Sequence, residues 1–252
     1  MAMIAKALRS PRKALLYVLL GPGRYRRLMA DVEAETRAEW LSKQIESTDD
    51  VRTKFHLLSF QSGAVQQTYW LGVPLQKSPL DCWIYQEIIA ELRPDVIVET
   101  GTDLGGSAVF FASICDLIGH GNVVSIDVRP APKIAHDRIR FIQGDSTSDD
   151  VLAKVRTATR QSTRTMVVLD SDHSKAHVRR ELDRYGEFVT VGSYLVVEDT
   201  NVNGHRVMPE HGPGPFEAVQ EFLPEHSEFQ VEHAREKFLL TYFPGGYLKR
   251  VA

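Results

Sequence analysis

VIVETGTDLGGSAVF, residues 96–110, decides the fold. A β-branched apolar run ends at Glu99, Gly101 opens a tight turn, and Gly105-Gly106 lead into an apolar helix. Glycine belongs where the backbone takes unusual torsions or lets a ligand approach closely. The spacing is not GxGxxG: Asp103 stands where a second glycine would be, so a pyrophosphate would meet a carboxylate. That disfavours a dinucleotide.

Similar short runs follow outward from this stretch: NVVSID (122–127), RIRFIQG (138–144), TMVVLD (165–170) and SYLVVED (193–199). Helical patterns separate most of them: SAVFFASICDLI, SDDVLAKVRTATR and SKAHVRRELDRYGEFV. SPLDCWIYQEIIAEL precedes the first strand, with Ser78 as cap and Pro94 as stop. Apolar runs alternating with helices predict a parallel, doubly wound α/β sheet. FLLTYF (238–243), PGG and YLKRV (247–251) predict a closing antiparallel hairpin. That combination is the class I methyltransferase arrangement, a Rossmann-like sheet. Residues 1–77 are expected to form an N-terminal helical extension, with VEAETRAEWLSKQIE its best helix, and residues 78–252 the sheet domain.

The 252 residues suit one elaborated domain, and 43% hydrophobic with 25% charged residues is ordinary for a globular chain. A net charge of −3 gives no nucleic-acid surface. Lys6, Arg9, Arg12, Lys13, Arg24, Arg26 and Arg27 surround the apolar stretch Ala14–Leu20. It is shorter than the roughly 20 residues of a membrane span and lacks a signal cleavage site. Packing on its own protein, or at most peripheral membrane contact, fits it. Cys82 and Cys115 are the only cysteines, which points to a reducing cytoplasm and no disulfide framework. A homo-oligomer is left open.

Each early strand ends in an acid. Glu99 suits the amino group of a methionine moiety, Asp127 the two hydroxyls of a ribose, and Asp145 or Ser146 an adenine. Capping and turn chemistry is the plainer reading of each. Acids after three consecutive strands, at the edge where such sheets bind ligands, point to S-adenosylmethionine. Two further acidic pairs follow: Asp170 with Asp172, and Glu198 with Asp199. Neighbouring strands would bring Asp170, Glu198 and Asp199 to one point, where they repel unless a cation neutralises them. Hard oxygen donors suit Mg²⁺. His173 at the same mouth is the candidate general base; His177 and His205 are weaker ones.

The segments CWIYQEII, VIVETGTDLGGSAVFFA, VVLDSDHSKAHV, LVVEDTNVNGH and HGPGPFEAV resemble the cephalosporin hydroxylase / rhamnosyl O-methyltransferase family, over about residues 78–250. The resemblance implies a metal-dependent sugar O-methyltransferase with a small-molecule, oligosaccharide or glycolipid acceptor. It places Asp170, Glu198 and Asp199 on the magnesium ligands and His173 on the general base. Glu99, Gly101, Ser107, Asp127 and Asp145 fall on the cofactor site, to which Thr102, Gly105, Ser146 and Asp170 are added as neighbours. The chain lacks the two-histidine, one-carboxylate pattern of a non-haem iron oxygenase. Residues 201–219 are expected to cover the active site, with Asn201 and His205 near the acceptor. Tyr69, Trp70, Trp83 and Tyr85 are candidates to stack on a sugar, or core aromatics. A catechol-type methyltransferase and a non-catalytic cofactor-binding partner are the competing readings. The first would carry a lysine base where His173 stands, and the second would not need the acidic cluster.

Overall fold

The computed structural model describes residues 50–252 continuously, with isolated positions among residues 20–47. The helix expected over residues 32–46 and the basic, apolar N-terminal stretch fall outside the continuously described residues. The chain divides into two compact units at Asp49/Asp50, and the sheet lies in the second. Its start at Asp50, not at residue 78, puts residues 50–77 with the sheet.

Helix α1, Val51–Gln61, begins where the Asp50 carboxylate accepts the backbone N–H groups of Arg52 and Thr53. A small hairpin follows, β1 Tyr69–Trp70 against β2 Val73–Pro74. Its two-residue turn, Leu71-Gly72, has positive φ at both positions, the geometry that matches strand twist. Helix α2, Pro79–Leu92, starts with Ser78 as cap and Pro79 in the first turn, and stops at Arg93 in the left-handed region.

The sheet contains β3 Val96–Thr100, β4 Asn122–Asp127, β5 Ile139–Gln143, β6 Thr165–Leu169, β7 Tyr194–Val197, β8 Phe229–Val231 and β9 Tyr247–Arg250. Their order is β5-β4-β3-β6-β7-β9-β8. The first five in that order run parallel, and β9 lies antiparallel between β7 and β8. Helices α3 Gly106–Leu117, α4 Asp149–Thr159, α5 Lys175–Tyr185 and α6 Pro215–Phe222 complete the unit. Central strands bury both faces, so their side chains sort alternately into two cores. Ile97, Met166, Val168, Tyr194 and Val196 join α2 and α3 on one face. Val96, Val98, Val167, Leu169, Leu195 and Val197 join α4, α5 and α6 on the other. This is why the strands read as continuous apolar runs.

One part of the expected ending is corrected. Residues 238–243 form no strand; β9 pairs with β8, Phe229–Val231. The Tyr242 amide that a ladder would need donates to the Asp81 carboxylate at 3.0 Å, as does the Thr241 hydroxyl at 2.5 Å. Among the described residues, no helix is long and apolar enough to cross a membrane.

Candidate active site

The strand order reverses at β3, between β4 and β6, and the crevice at the carboxyl ends of these strands is where such sheets bind ligands. Gly101 sits in that crevice at φ +88°, and a Cβ there would come within 1.8 Å of the Asp170 carbonyl oxygen. Glycine is therefore needed to let the ends of β3 and β6 approach. Gly105, also at positive φ, opens α3. Glu99 is fully buried; its Oε2 accepts from Ser125 Oγ at 2.6 Å, and Thr102 Oγ1 lies 2.6 Å from that same hydroxyl. Among the described residues its Oε1 has no hydrogen-bond partner. Burial pushes the Glu99 carboxyl up to about 7, against the pull of Lys77 and the hydroxyls of Ser107 and Ser125. A buried carboxylate with an uncommitted oxygen is what a cationic amino group would satisfy.

Asp127, at the end of β4, accepts the Asp103 amide at 2.9 Å and the Arg129 amide at 2.8 Å, with the Arg129 guanidinium laid over both oxygens. Arg129 also reaches Asp103 at 2.9 Å. Asp145 caps its own turn through the amide and hydroxyl of Thr147. Ser146 is buried, its Oγ 3.1 Å from His177 Nε2.

Because β6 and β7 are adjacent and parallel, the residues that follow them meet. Asp170, Glu198 and Asp199 do converge, but two cations of the chain itself stand among them. Lys77, buried, places Nζ 2.8 Å from Asp170 Oδ2 and 2.7 and 2.6 Å from the two oxygens of Glu198. Burial works against the ammonium, yet Asp170, Glu198 and Glu99 together hold its pKa well above the ordinary value. Tyr85 OH donates to Glu198 Oε1 at 2.7 Å. His173 lies between the other two acids, Nε2 3.4 Å from Asp170 Oδ1 and Nδ1 3.3 Å from Asp199 Oδ2. Its burial disfavours the charged imidazole, but Asp199 and Asp170 outweigh this and raise it to about 9. Burial pushes Asp170 up, but Lys77 and His173 pull it down to about 2.

Asp170, His173 and Asp199 each offer a ligand atom, and these atoms lie within 4.8 Å of one another. Two carboxylate oxygens and an imidazole suit a hard or borderline divalent ion. Glu198 stands beside this group, engaged by Lys77 and Tyr85. The cation demanded by converging acids is thus supplied in part by Lys77, which the sequence reading missed.

The acceptor-side expectations divide. Tyr69 is exposed, as is Trp83, whose Nε1 donates to Glu87. Trp70 Nε1 donates to Ser113 Oγ, and its ring packs edge-on against Phe110. Tyr85 is corrected: it is fully buried against Phe111 and Phe243 and cannot stack on a sugar. Asn201 is buried, its Nδ2 donating to His56 Nε2 at 2.9 Å. His205 donates to Glu217 Oε1 at 2.6 Å and stacks on Phe216. Glu217 also accepts from Asn203 Nδ2 and from the Gly214 amide, so one carboxylate pins both ends of the loop over residues 201–214. Asp172 caps the Ser174 amide.

The sequence model of the family Rhamnosyl O-methyltransferase/CmcI matches residues 62–251. The chain belongs to this family. A rhamnosyl O-methyltransferase of Mycobacterium leprae is 36% identical over 210 residues, covering 81% of this chain and 92% of the relative. One from Mycobacterium tuberculosis is 35% identical over 212 residues, covering 81% and 86%. Among solved structures, apo CmcI superposes with a TM-score of 0.57 at 22% identity, covering 74% of this chain and 77% of that one. CmcI with Mg and SAM gives 0.56 at 21%, covering 74% and 78%. These structures share the fold. The family match begins at residue 62, so it takes in the β1–β2 hairpin and Lys77.

Proposed function

We propose that this member of the rhamnosyl O-methyltransferase/CmcI family transfers a methyl group from S-adenosylmethionine to a sugar hydroxyl, with Mg²⁺ at the acidic cluster. The convergence of Asp170, Glu198 and Asp199 after the adjacent strands β6 and β7, with His173 between Asp170 and Asp199, carries this reading. The mycobacterial relatives are rhamnosyl O-methyltransferases, and a CmcI structure contains Mg and SAM. Glu99 takes the cofactor's amino group on its free oxygen, and Gly101, Thr102, Gly105 and Ser107 line the methionine end. Asp127 holds the ribose hydroxyls and Asp145 with Ser146 the adenine. Asp170, Asp199 and Glu198 hold the ion.

When bound, the ion polarises the acceptor hydroxyl and offsets the carboxylate charge that keeps His173 protonated. His173 Nε2 is hydrogen-bonded to Asp170 Oδ1, and Nδ1 stands at ion-pair distance from Asp199; with the ion on these carboxylates, the imidazole would be released to accept the hydroxyl proton. The acceptor oxygen attacks the sulfonium methyl in line. The C–O bond forms as the C–S bond breaks, and neutral S-adenosylhomocysteine leaves. Holding both reactants supplies much of the rate. The acceptor is a rhamnoside, mannoside or other hexoside, and the pinned loop over residues 201–214 with Tyr69 frames it. The free thiols Cys82 and Cys115 agree with a reducing cytoplasm.

The test is transfer of labelled methyl groups to rhamnosyl glycolipids. EDTA abolishes it and Mg²⁺ restores it; turnover that is indifferent to EDTA refutes the metal-assisted mechanism.

A further inference from the structure

Lys77 is held as firmly at its backbone as at its ammonium. The Thr68 hydroxyl contacts both the Lys77 amide and its carbonyl, at 3.2 and 3.1 Å. The side chain then passes from the segment after β2 into the acidic site, where Nζ spans Asp170 and Glu198. Both oxygens of Glu198 are thereby engaged, and Asp170 keeps only Oδ1 for His173. The compact donor group of Asp170, His173 and Asp199 does not include Glu198.

We propose that Lys77 is the resident counter-cation of this site, a positioning residue that exchanges with the divalent ion for Asp170 and Glu198. The proposal rests on the metal-dependent reading above. Like charges that share a pair of carboxylates in a buried site repel strongly, so ammonium and metal do not occupy those oxygens together. A lysine suits exchange, because its compact charge rides on a flexible four-carbon stem. Tyr85 OH donates to Glu198 Oε1 beside the ammonium. Without metal, Lys77 prevents two buried carboxylates from facing each other unpaired, which is a costly arrangement. Metal affinity is then set partly by a residue that does not ligate the metal.

Calorimetric titration of Mg²⁺ into the wild-type chain and Lys77→Met tests this without any turnover. Removing the competing charge should tighten Mg²⁺ binding by about tenfold or more. Equal or weaker binding by Lys77→Met overturns the exchange while leaving the metal reading intact; failure of both proteins to bind Mg²⁺ removes both. If Lys77→Met does not fold, acylation of wild-type lysines read by mass spectrometry replaces it. Lys77 should be protected in metal-free protein and become acylated when Mg²⁺ is added. Unchanged protection at saturating Mg²⁺ refutes the exchange.

Discussion

Gly101 and Gly72 have nearly the same backbone torsion, φ +88° and +85°, but opposite surroundings. Alanine at either must adopt a left-handed conformation, which costs about 1–2 kcal/mol. At Gly72 nothing lies within 4 Å of the new methyl, so that is the whole effect. At Gly101 the methyl meets the Asp170 carbonyl oxygen at 1.8 Å and its carbon at 2.5 Å, both backbone atoms. No side chain can swing away, so the ends of β3 and β6 must separate. That strains the Asp170 amide's bond to the Thr100 carbonyl and the Gly101 amide's bond to Ile126. Overpacking of this kind costs about 1–3 kcal/mol, and a weakened hydrogen bond about 1 kcal/mol more. Gly101→Ala should therefore lose about 3–6 kcal/mol, against about 1–2 for Gly72→Ala. At about 2–4 °C per kcal/mol for a unit of this size, scanning calorimetry separates the two. Gly101→Ala should also abolish S-adenosylmethionine binding in a titration that leaves Gly72→Ala unaffected. Equal melting temperatures for the two variants would refute the close approach as the reason for glycine.

His173→Gln should lower methyl transfer by about 10²–10⁴-fold; undiminished activity across about pH 6–9 removes it as the base. Glu217→Ala frees Asn203, His205 and the Gly214 amide at once, so KM for the acceptor should rise by about tenfold while cofactor affinity holds. A rise in cofactor Kd instead would move the loop's role to the other substrate. Burial raises Asp81 from 3.8 to about 6, despite bonds from Thr241, Tyr242 and Tyr247. Folding thus favours its protonated form, and its stabilising contribution is complete below about pH 4 and fades as pH rises through about 6. At about 1.36 kcal/mol per pH unit, that is about 3 kcal/mol. Urea melts of wild type and Asp81→Asn from about pH 4 to 8 should show the wild type's relative stability falling with pH; a constant difference contradicts the assignment.

The central sheet was legible because β3, β4, β6 and β7 bury both faces and carry the apolar runs that this demands. The acids at the sheet's carboxyl edge were legible for the same reason: a strand's end locates its acid without any tertiary knowledge. Lys77 left no such trace. Its partners lie 93 and 121 residues away, and a lysine before a helix cap reads as solvated. FLLTYF carried real strand propensity, but Asp81, 160 residues upstream, claimed its Thr241 hydroxyl. Asn201 and His205 were placed near the acceptor through the family's loop; in the structure their donors meet His56 and Glu217. Tyr85 shows that an aromatic at helical spacing is decided by the face it occupies.

That face of α2 has a practical consequence. Asp81 and Tyr85, one helical turn apart, are bonded respectively to Tyr247 of the terminal strand and to Glu198 of the acidic cluster. Trimming the chain back past Tyr247 would strip β7 of its neighbour and loosen the helix that steadies Glu198. Val251 and Ala252, beyond β9, are exposed. Substitutions at these two exposed positions are therefore tolerated, whereas those at Tyr247 reach the chemistry.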